Sequence, residues 1–233
     1  MNFWIGTSGF QYPEWKGGFY PETISVSKML RYYAERFRST ESNYSFRTIP
    51  SQKTIERWAA ATPGRFKFSF KAPQKVTHFA KLQNCAETLA YFQKVIALLD
   101  VKLGAVLFQL PPTFKKDLFR LDSFLGELPE GMRAAFEFRH ESWFDDEVFA
   151  CLRSHNAALC IAESEELTTP SVATADFGYL RLRREDYSAA AIGRWAKFVG
   201  AQADWREAFV YFKHEETGVG PKFAQKFMKL IHA

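Results

Sequence analysis

RAAFEFRHESWF, residues 133–144, is an apolar run that stops in a cluster of ionisable and aromatic groups. Ala134, Ala135, Phe136 and Phe138 suit a buried strand, whereas Glu137, Arg139, His140, Glu141 and Trp143 suit a cavity. Burying a carboxylate, a guanidinium and an imidazole together is costly unless they pair or meet water. A ligand site at a strand end is the simplest explanation, and the other strands are expected to bring similar ends beside this one.

On both sides of that stretch, strand-like runs alternate with helical ones. Upstream, 104–110 (GAVLFQL) is a buried-strand run that ends at Pro111-Pro112, where proline has no N–H to donate. Gln109 is its odd polar member, and a helix over about 116–127 joins it to the opening stretch. Residues 66–70 (FKFSF) alternate with period two and deliver Lys71, with Thr77-His78 just beyond. Asn84 and Glu87 have capping-box spacing before a helical stripe of Leu89, Phe92, Ile96 and Leu99.

Nearer the N-terminus, Val26, Met29, Leu30, Tyr33, Ala34 and Phe37 define an amphipathic helix, and 51–60 a second. Between them, 39–43 (STESN) is a strand-like step carrying Glu41 and Asn43. Phe3-Trp4-Ile5 begins the chain's first strand, and Gly6-Thr7-Ser8-Gly9 is either a tight turn or a backbone nest that contacts an anion. Residues 11–21 form an ordered loop whose Tyr12, Trp15 and Tyr20 wall a cavity or seal a barrel end.

Downstream, Asp145, Asp146 and Glu147 suit a helix N-terminus, where the macrodipole favours negative charge. Strand-like runs follow at 157–162, ending at Glu163, at 179–183, and at 209–212, ending at Lys213-His214-Glu215. Ile192, Trp195, Ala196 and Val199 mark a helix, and Gly220-Pro221 opens the last one. The connection after the sixth strand is short or irregular around 168–170.

Eight strand-like runs alternating with helices imply parallel strands with right-handed crossovers. The expected fold is an α/β single-domain (β/α)8 TIM-type barrel over 1–233, compact for that fold. A doubly wound open sheet is the alternative, but no glycine-rich nucleotide-binding motif follows a strand. With 24 Phe against 13 Gly, the core is built largely from rings. No run is long and apolar enough for a membrane helix, so a soluble cytoplasmic protein is expected. Cys85, Cys151 and Cys160 lack C-x-x-C spacing, which argues against a disulfide framework and against a thiolate zinc site. The net charge of +5 favours encounters with anions but is spread along the chain, so it supports nucleic-acid binding only weakly.

Several motifs together resemble one family along nearly the whole chain. They are Gly6-Thr7-Ser8-Gly9-Phe10 with Tyr12 and Trp15, Phe19-Tyr20-Pro21, Leu30-Arg31-Tyr32-Tyr33 and Glu41-x-Asn43-x-Ser45-Phe46. Lys71-Ala72 with Thr77-His78, Gln109-Leu110-Pro111-Pro112 and Glu137-Phe138-Arg139-His140-x-Ser142-Trp143 complete the set. The sequence resembles the domain-of-unknown-function family seventy-two (DUF72), the YecE-like proteins. That resemblance implies a TIM-type barrel of unassigned activity. Family members often carry Arg-x-His-Gly where this chain has Arg181-Leu182-Arg183-Arg184, Asp where it has Glu163, and an Asn-rich turn where it has Lys213-His214-Glu215. These departures imply a different substrate or binding mode from the typical member's.

In TIM barrels the active site lies at the C-terminal face, so the strand-end residues should share one mouth. The reading is an enzyme acting on a small polar, anionic ligand bearing phosphate or carboxylate, its hydrolase, lyase or isomerase class left open. Glu137 or Glu41 is the expected general base and His140 the acid or base. Asn43, Lys71, His78, Gln109, Arg139, Trp143, Arg181, Arg183, Lys213 and His214 are the expected substrate-binding residues, because guanidinium forks suit bidentate contact with such anions. No cofactor is expected. The alternative is a divalent-metal barrel with Glu137, His140, Glu163 and His214 as ligands. A third reading is a non-catalytic nucleotide or nucleic-acid binding module. Ser-His-Asp catalysis lacks its G-x-S-x-G elbow. His155 and His232 are expected on helices away from the strand ends.

Overall fold

Side chains alternate across a strand, so parity decides which residues enter the centre of a closed sheet. The computed structural model describes residues 1–163, 168–213 and 218–231. Its strands are β1 (Asn2–Thr7), β2 (Ser39–Ser42), β3 (Lys67–Lys71), β4 (Leu103–Gln109), β5 (Ala134–Glu137), β6 (Ala158–Glu163), β7 (Phe177–Leu182) and β8 (Glu207–Phe212). Neighbouring strands pair in parallel as β1-β8-β7-β6-β5-β4-β3-β2. The end strands meet through a Ser8–Glu41 bridge, where the Gly9 N–H donates to the Glu41 carbonyl at 2.7 Å. The sheet is thus nearly closed into the expected TIM-like barrel.

The helices are α1 (Val26–Ala34), α2 (Tyr44–Arg47), α3 (Gln52–Ala60), α4 (Ala86–Ile96), α5 (Leu118–Gly126), α6 (Asp146–Ser154), α7 (Ala189–Gly200) and α8 (Val219–Ile231). Ser51, Asp117, Asp145 and Ser188 accept from backbone N–H groups of the first turns of α3, α5, α6 and α7, which satisfies donors that a helix start leaves open. Asp145 thereby confirms the capping role read for the acidic run. The expected Asn84–Glu87 box is not formed. Asn84 has φ of +49°, and Cys85 is the N-cap without a side-chain cap bond. Between β6 and β7, the described residues 168–176 contain no helix, as their sequence implies.

Closure at the β1–β2 seam explains the first glycine. A Cβ on Gly6 would run into the Ser39 carbonyl oxygen and lie 2.6 Å from the Tyr33 hydroxyl. That hydroxyl accepts from the Thr7 N–H at 2.8 Å and donates to the Ser39 carbonyl at 3.0 Å, bridging two strands that share few ladder bonds. The Ser8 N–H donates to the Phe212 carbonyl at 3.0 Å. With the Thr7, Ser8 and Gly9 amides all engaged, the backbone nest read as an alternative at 6–9 is corrected: this segment is barrel wall.

Inward-facing residues fill the barrel in layers. Ala105, Leu107, Ala135, Ala158, Cys160, Phe177 and Phe209 form an apolar cluster with Trp4 at its edge. Above them, the Tyr211 hydroxyl joins Ser39 Oγ at 2.6 Å and Ser69 Oγ at 2.8 Å. Outward-facing Phe68, Phe70, Phe108, Phe136 and Phe138 pack beneath the helices. No described helix is long and apolar enough to cross a membrane.

Candidate functional site

Two residues further along the same inward parity, the apolar layers give way to charge. Glu41 on β2, Glu137 on β5 and Arg181 on β7 all enter the centre, with relative exposures of 0%, 0% and 2%. Arg181 donates to Glu41 Oε1 from Nε at 3.2 Å and Nη2 at 2.9 Å, and from Nη1 to Glu137 Oε2. The Tyr179 hydroxyl donates to Glu41 Oε2 at 2.6 Å, and Arg139 Nε donates to Glu137 Oε1 at 2.7 Å. Arg183 Nη1 lies 3.6 Å from Glu137 Oε1. Burial alone would raise the Glu137 pKa, but the guanidiniums of Arg181, Arg139 and Arg183 outweigh it and hold the carboxyl well below its usual range. Such pairing is what allows three charges to sit buried.

Over this floor opens a cavity of about 570 Å3, within the ~300–1,000 Å3 of small-molecule sites. Its wall holds six cationic side chains, Arg47, Lys71, Arg139, Arg181, Arg183 and Lys213, with Asn43, Gln109, Tyr12, Tyr44, Phe46 and Thr48. No carboxylate is among the described residues that line it. The Lys71 ammonium lies 3.7 Å from the centre of the Phe46 ring, and the His78 ring meets that same ring edge-on at 4.9 Å. Burial first, then Arg181, brings Lys71 down to about 7, with Glu137 and Glu41 acting against the shift. Burial and then Lys71 and Arg139 likewise lower the His78 pKa. Asn43 Oδ1 is buried without a hydrogen-bond partner, a donor-seeking oxygen at the cavity edge.

Seven sequence-predicted residues therefore converge: Asn43, Lys71, Gln109, Arg139, Arg181, Arg183 and Lys213 line the cavity. Glu41 and Glu137 form its floor, and His78 stands behind Phe46. Three other predicted residues lie elsewhere. Trp143 is fully buried, stacks on Phe138 at 4.7 Å and donates from Nε1 to the Phe114 carbonyl at 2.6 Å, so it is core. His140 caps a short turn, its Nδ1 accepting from the Ser142 N–H at 3.1 Å, and it is not among the residues lining this cavity. Glu163 follows inward Ala162 and so has outward parity; its Oε2 accepts from the Tyr187 hydroxyl at 2.7 Å and Trp195 Nε1 at 2.8 Å.

Of the runner-up metal set, Glu137, His140 and Glu163 belong to no metal-ligand cluster among the described residues. His214, the fourth member, lies outside the described residues, as do Glu215 and His232. Sequence reasoning missed Tyr44, Phe46 and Arg47, which the one-turn α2 sets on the rim. Their signal was an aromatic-basic segment directly after the Glu41–Asn43 strand end. Tyr12, read as a cavity wall, is one; Trp15 and Tyr20 are buried.

Parallel strands closing on a polar cavity at their C-terminal ends define a TIM-like α/β barrel protein with a cation-lined mouth. More specifically, residues 4–233 match the family described as "Protein of unknown function DUF72", and the chain belongs to that family. It is 29% identical to the UPF0759 protein YecE of Escherichia coli K12 over 142 residues, which cover 60% of this chain. That match spans only 50% of YecE's length. Identity to the UPF0759 protein YunF of Bacillus subtilis is 26% over 220 residues, covering 84% of this chain and 74% of YunF. A DUF72 family protein from Thermotoga maritima superposes with a TM-score of 0.85 at 27% identity, covering 100% of both chains. One from Enterococcus faecalis also gives 0.85, at 18% identity, covering 99% of this chain and 96% of that one.

Proposed function

We propose that the barrel mouth binds a small anionic molecule bearing a phosphate or carboxylate and acts on it by proton transfer. The observation that carries this reading is the imbalance of charge among the described residues: four guanidiniums, the Lys213 ammonium and the titratable Lys71 amine line one cavity, whereas the carboxylates beneath it, Glu41 and Glu137, are buried and bonded to arginine. Arg139 and Arg183 reach the cavity from two strand ends and present planar donor forks to it. Tyr44, exposed on the rim, offers a ring face for an apolar portion of the ligand.

Glu41 and Glu137, expected as general bases, serve in this proposal as orienting groups. Their oxygens already accept from arginine and tyrosine, and protonating Glu137 would forfeit three favourable charge contacts. Lys71 takes the acid-base role, because an amine near 7 exists in both forms at neutral pH and needs little driving force to exchange a proton. Native mass spectrometry of chain purified at low salt tests the binding. The expected result is a co-purifying anionic species that is lost from Arg139→Ala and Arg183→Ala. A neutral species, or one retained equally by both variants, contradicts the proposal.

A further inference from the structure

On the outer helical layer, away from the mouth, three metal-ligand side chains meet. Asp122 comes from α5, Cys151 from α6, and His155 from the residue following α6. Cys151 and His155 are four residues apart, so one helical turn sets their donors side by side. His155 Nε2 and Asp122 Oδ1 are 2.9 Å apart, Cys151 Sγ and Asp122 Oδ1 are 3.7 Å apart, and the three donor atoms all lie within 4.8 Å of one another.

We infer that Asp122, Cys151 and His155 form a surface binding site for a zinc-like divalent ion. Zinc bonds of about 2.0 Å to nitrogen and oxygen and about 2.3 Å to sulfur, in a tetrahedron, set N···O near 3.3 Å and S···O near 3.5 Å. The two separations to Asp122 Oδ1 differ from those by a few tenths of an ångström, within reach of side-chain rotation. The donor set, one thiolate, one imidazole and one carboxylate, suits zinc and excludes magnesium and calcium, which take oxygen. Binding converts the Cys151 thiol to a thiolate and releases its proton to solvent. Three protein donors leave the fourth position open to water or an incoming ligand. The bound ion ties α5 to α6 on the outside of the barrel.

Cys85 and Cys160 are buried and Cys151 is partly exposed, so thiol modification of the folded chain reads Cys151. Untagged protein, stripped with chelator, is titrated with zinc against a chromophoric competitor and separately with cobalt(II). The expected result is one equivalent bound per chain, protection of Cys151 from alkylation, and a thiolate-to-cobalt charge-transfer band. Cys151→Ser and His155→Ala, checked for folding by circular dichroism, should each weaken binding at least ~10–100-fold, the loss typical of disturbing even an outer-shell partner. The inference is overturned if zinc leaves Cys151 as reactive as before, or if affinity is the same in both variants. The second outcome would mean adventitious binding elsewhere on the surface.

Discussion

Replacing Arg181 with Met removes the hub of the buried charge network while roughly conserving volume. Glu41 loses both guanidinium bonds and, among the described residues, keeps only the Tyr179 hydroxyl, whereas Glu137 keeps Arg139 at 2.7 Å and Arg183 at 3.6 Å. The cost therefore falls mainly on Glu41. Breaking a buried pair from one side typically costs ~3–5 kcal/mol, and that is the loss expected in urea unfolding at neutral pH. Glu41→Gln on the Arg181→Met background should recover about 1–3 kcal/mol, because it removes the uncompensated charge. The pH dependence has a defined sign. Glu137 is held below its unfolded pKa, so the stability it contributes is full above an unfolded value of ~4.3 and fades as pH falls toward its depressed folded value. Arg181 is the foremost of the guanidiniums that depress Glu137, so the gap between wild type and Arg181→Met should narrow as pH falls below about 4.3 toward that depressed value. A gap that widens on acidification, or a double variant no more stable than Arg181→Met, refutes the reasoning.

Lys71, lowered from 10.5 to about 7, is protonated less in the folded than in the unfolded chain between those values, so its own contribution to stability should rise with pH across that window. Lys71→Met should flatten that rise in a series of denaturation curves, and an unchanged slope would contradict the burial of the amine. Tyr33→Phe leaves the buried Thr7 N–H without its partner at the barrel seam, and thermal or urea unfolding should show a loss of about 1–3 kcal/mol. Trp143→Phe should lose a comparable ~1–3 kcal/mol, from the Phe114 carbonyl left unpaired, while calorimetric affinity for an anionic probe stays unchanged.

The barrel was legible because its signals are local and repeated. FKFSF and GAVLFQL announce β3 and β4, and the spacing of Met29, Leu30, Tyr33 and Ala34 announces α1. Parity also placed most of the site. Glu41, Glu137 and Arg181 share a face with inward Ser39, Ala135 and Tyr179, and strict counting would have turned Glu163 outward beside Ala162. What sequence could not supply is the fate of polar groups beyond the strand ends. His140 Nδ1 is bonded to Ser142 across a turn, and Trp143 folds back onto Phe138. Both are decided by backbone direction after β5, which no residue pattern encodes. The engaged amides of Thr7, Ser8 and Gly9 depend on Tyr33, Phe212 and Glu41, partners distant in sequence. Asn84 and Glu87 had capping spacing, but the left-handed turn at Asn84 moved the cap to Cys85.

The central claim is that this cation-lined mouth recognises negative charge. Isothermal titration calorimetry of a simple phosphomonoester against its uncharged alcohol, at low and high salt, tests it most directly. Saturable one-site binding of the ester alone, weakened by salt and lost in the Arg139→Ala, Arg183→Ala double variant, is the predicted result. Equal binding of both compounds, or ester binding indifferent to that double substitution, would contradict it.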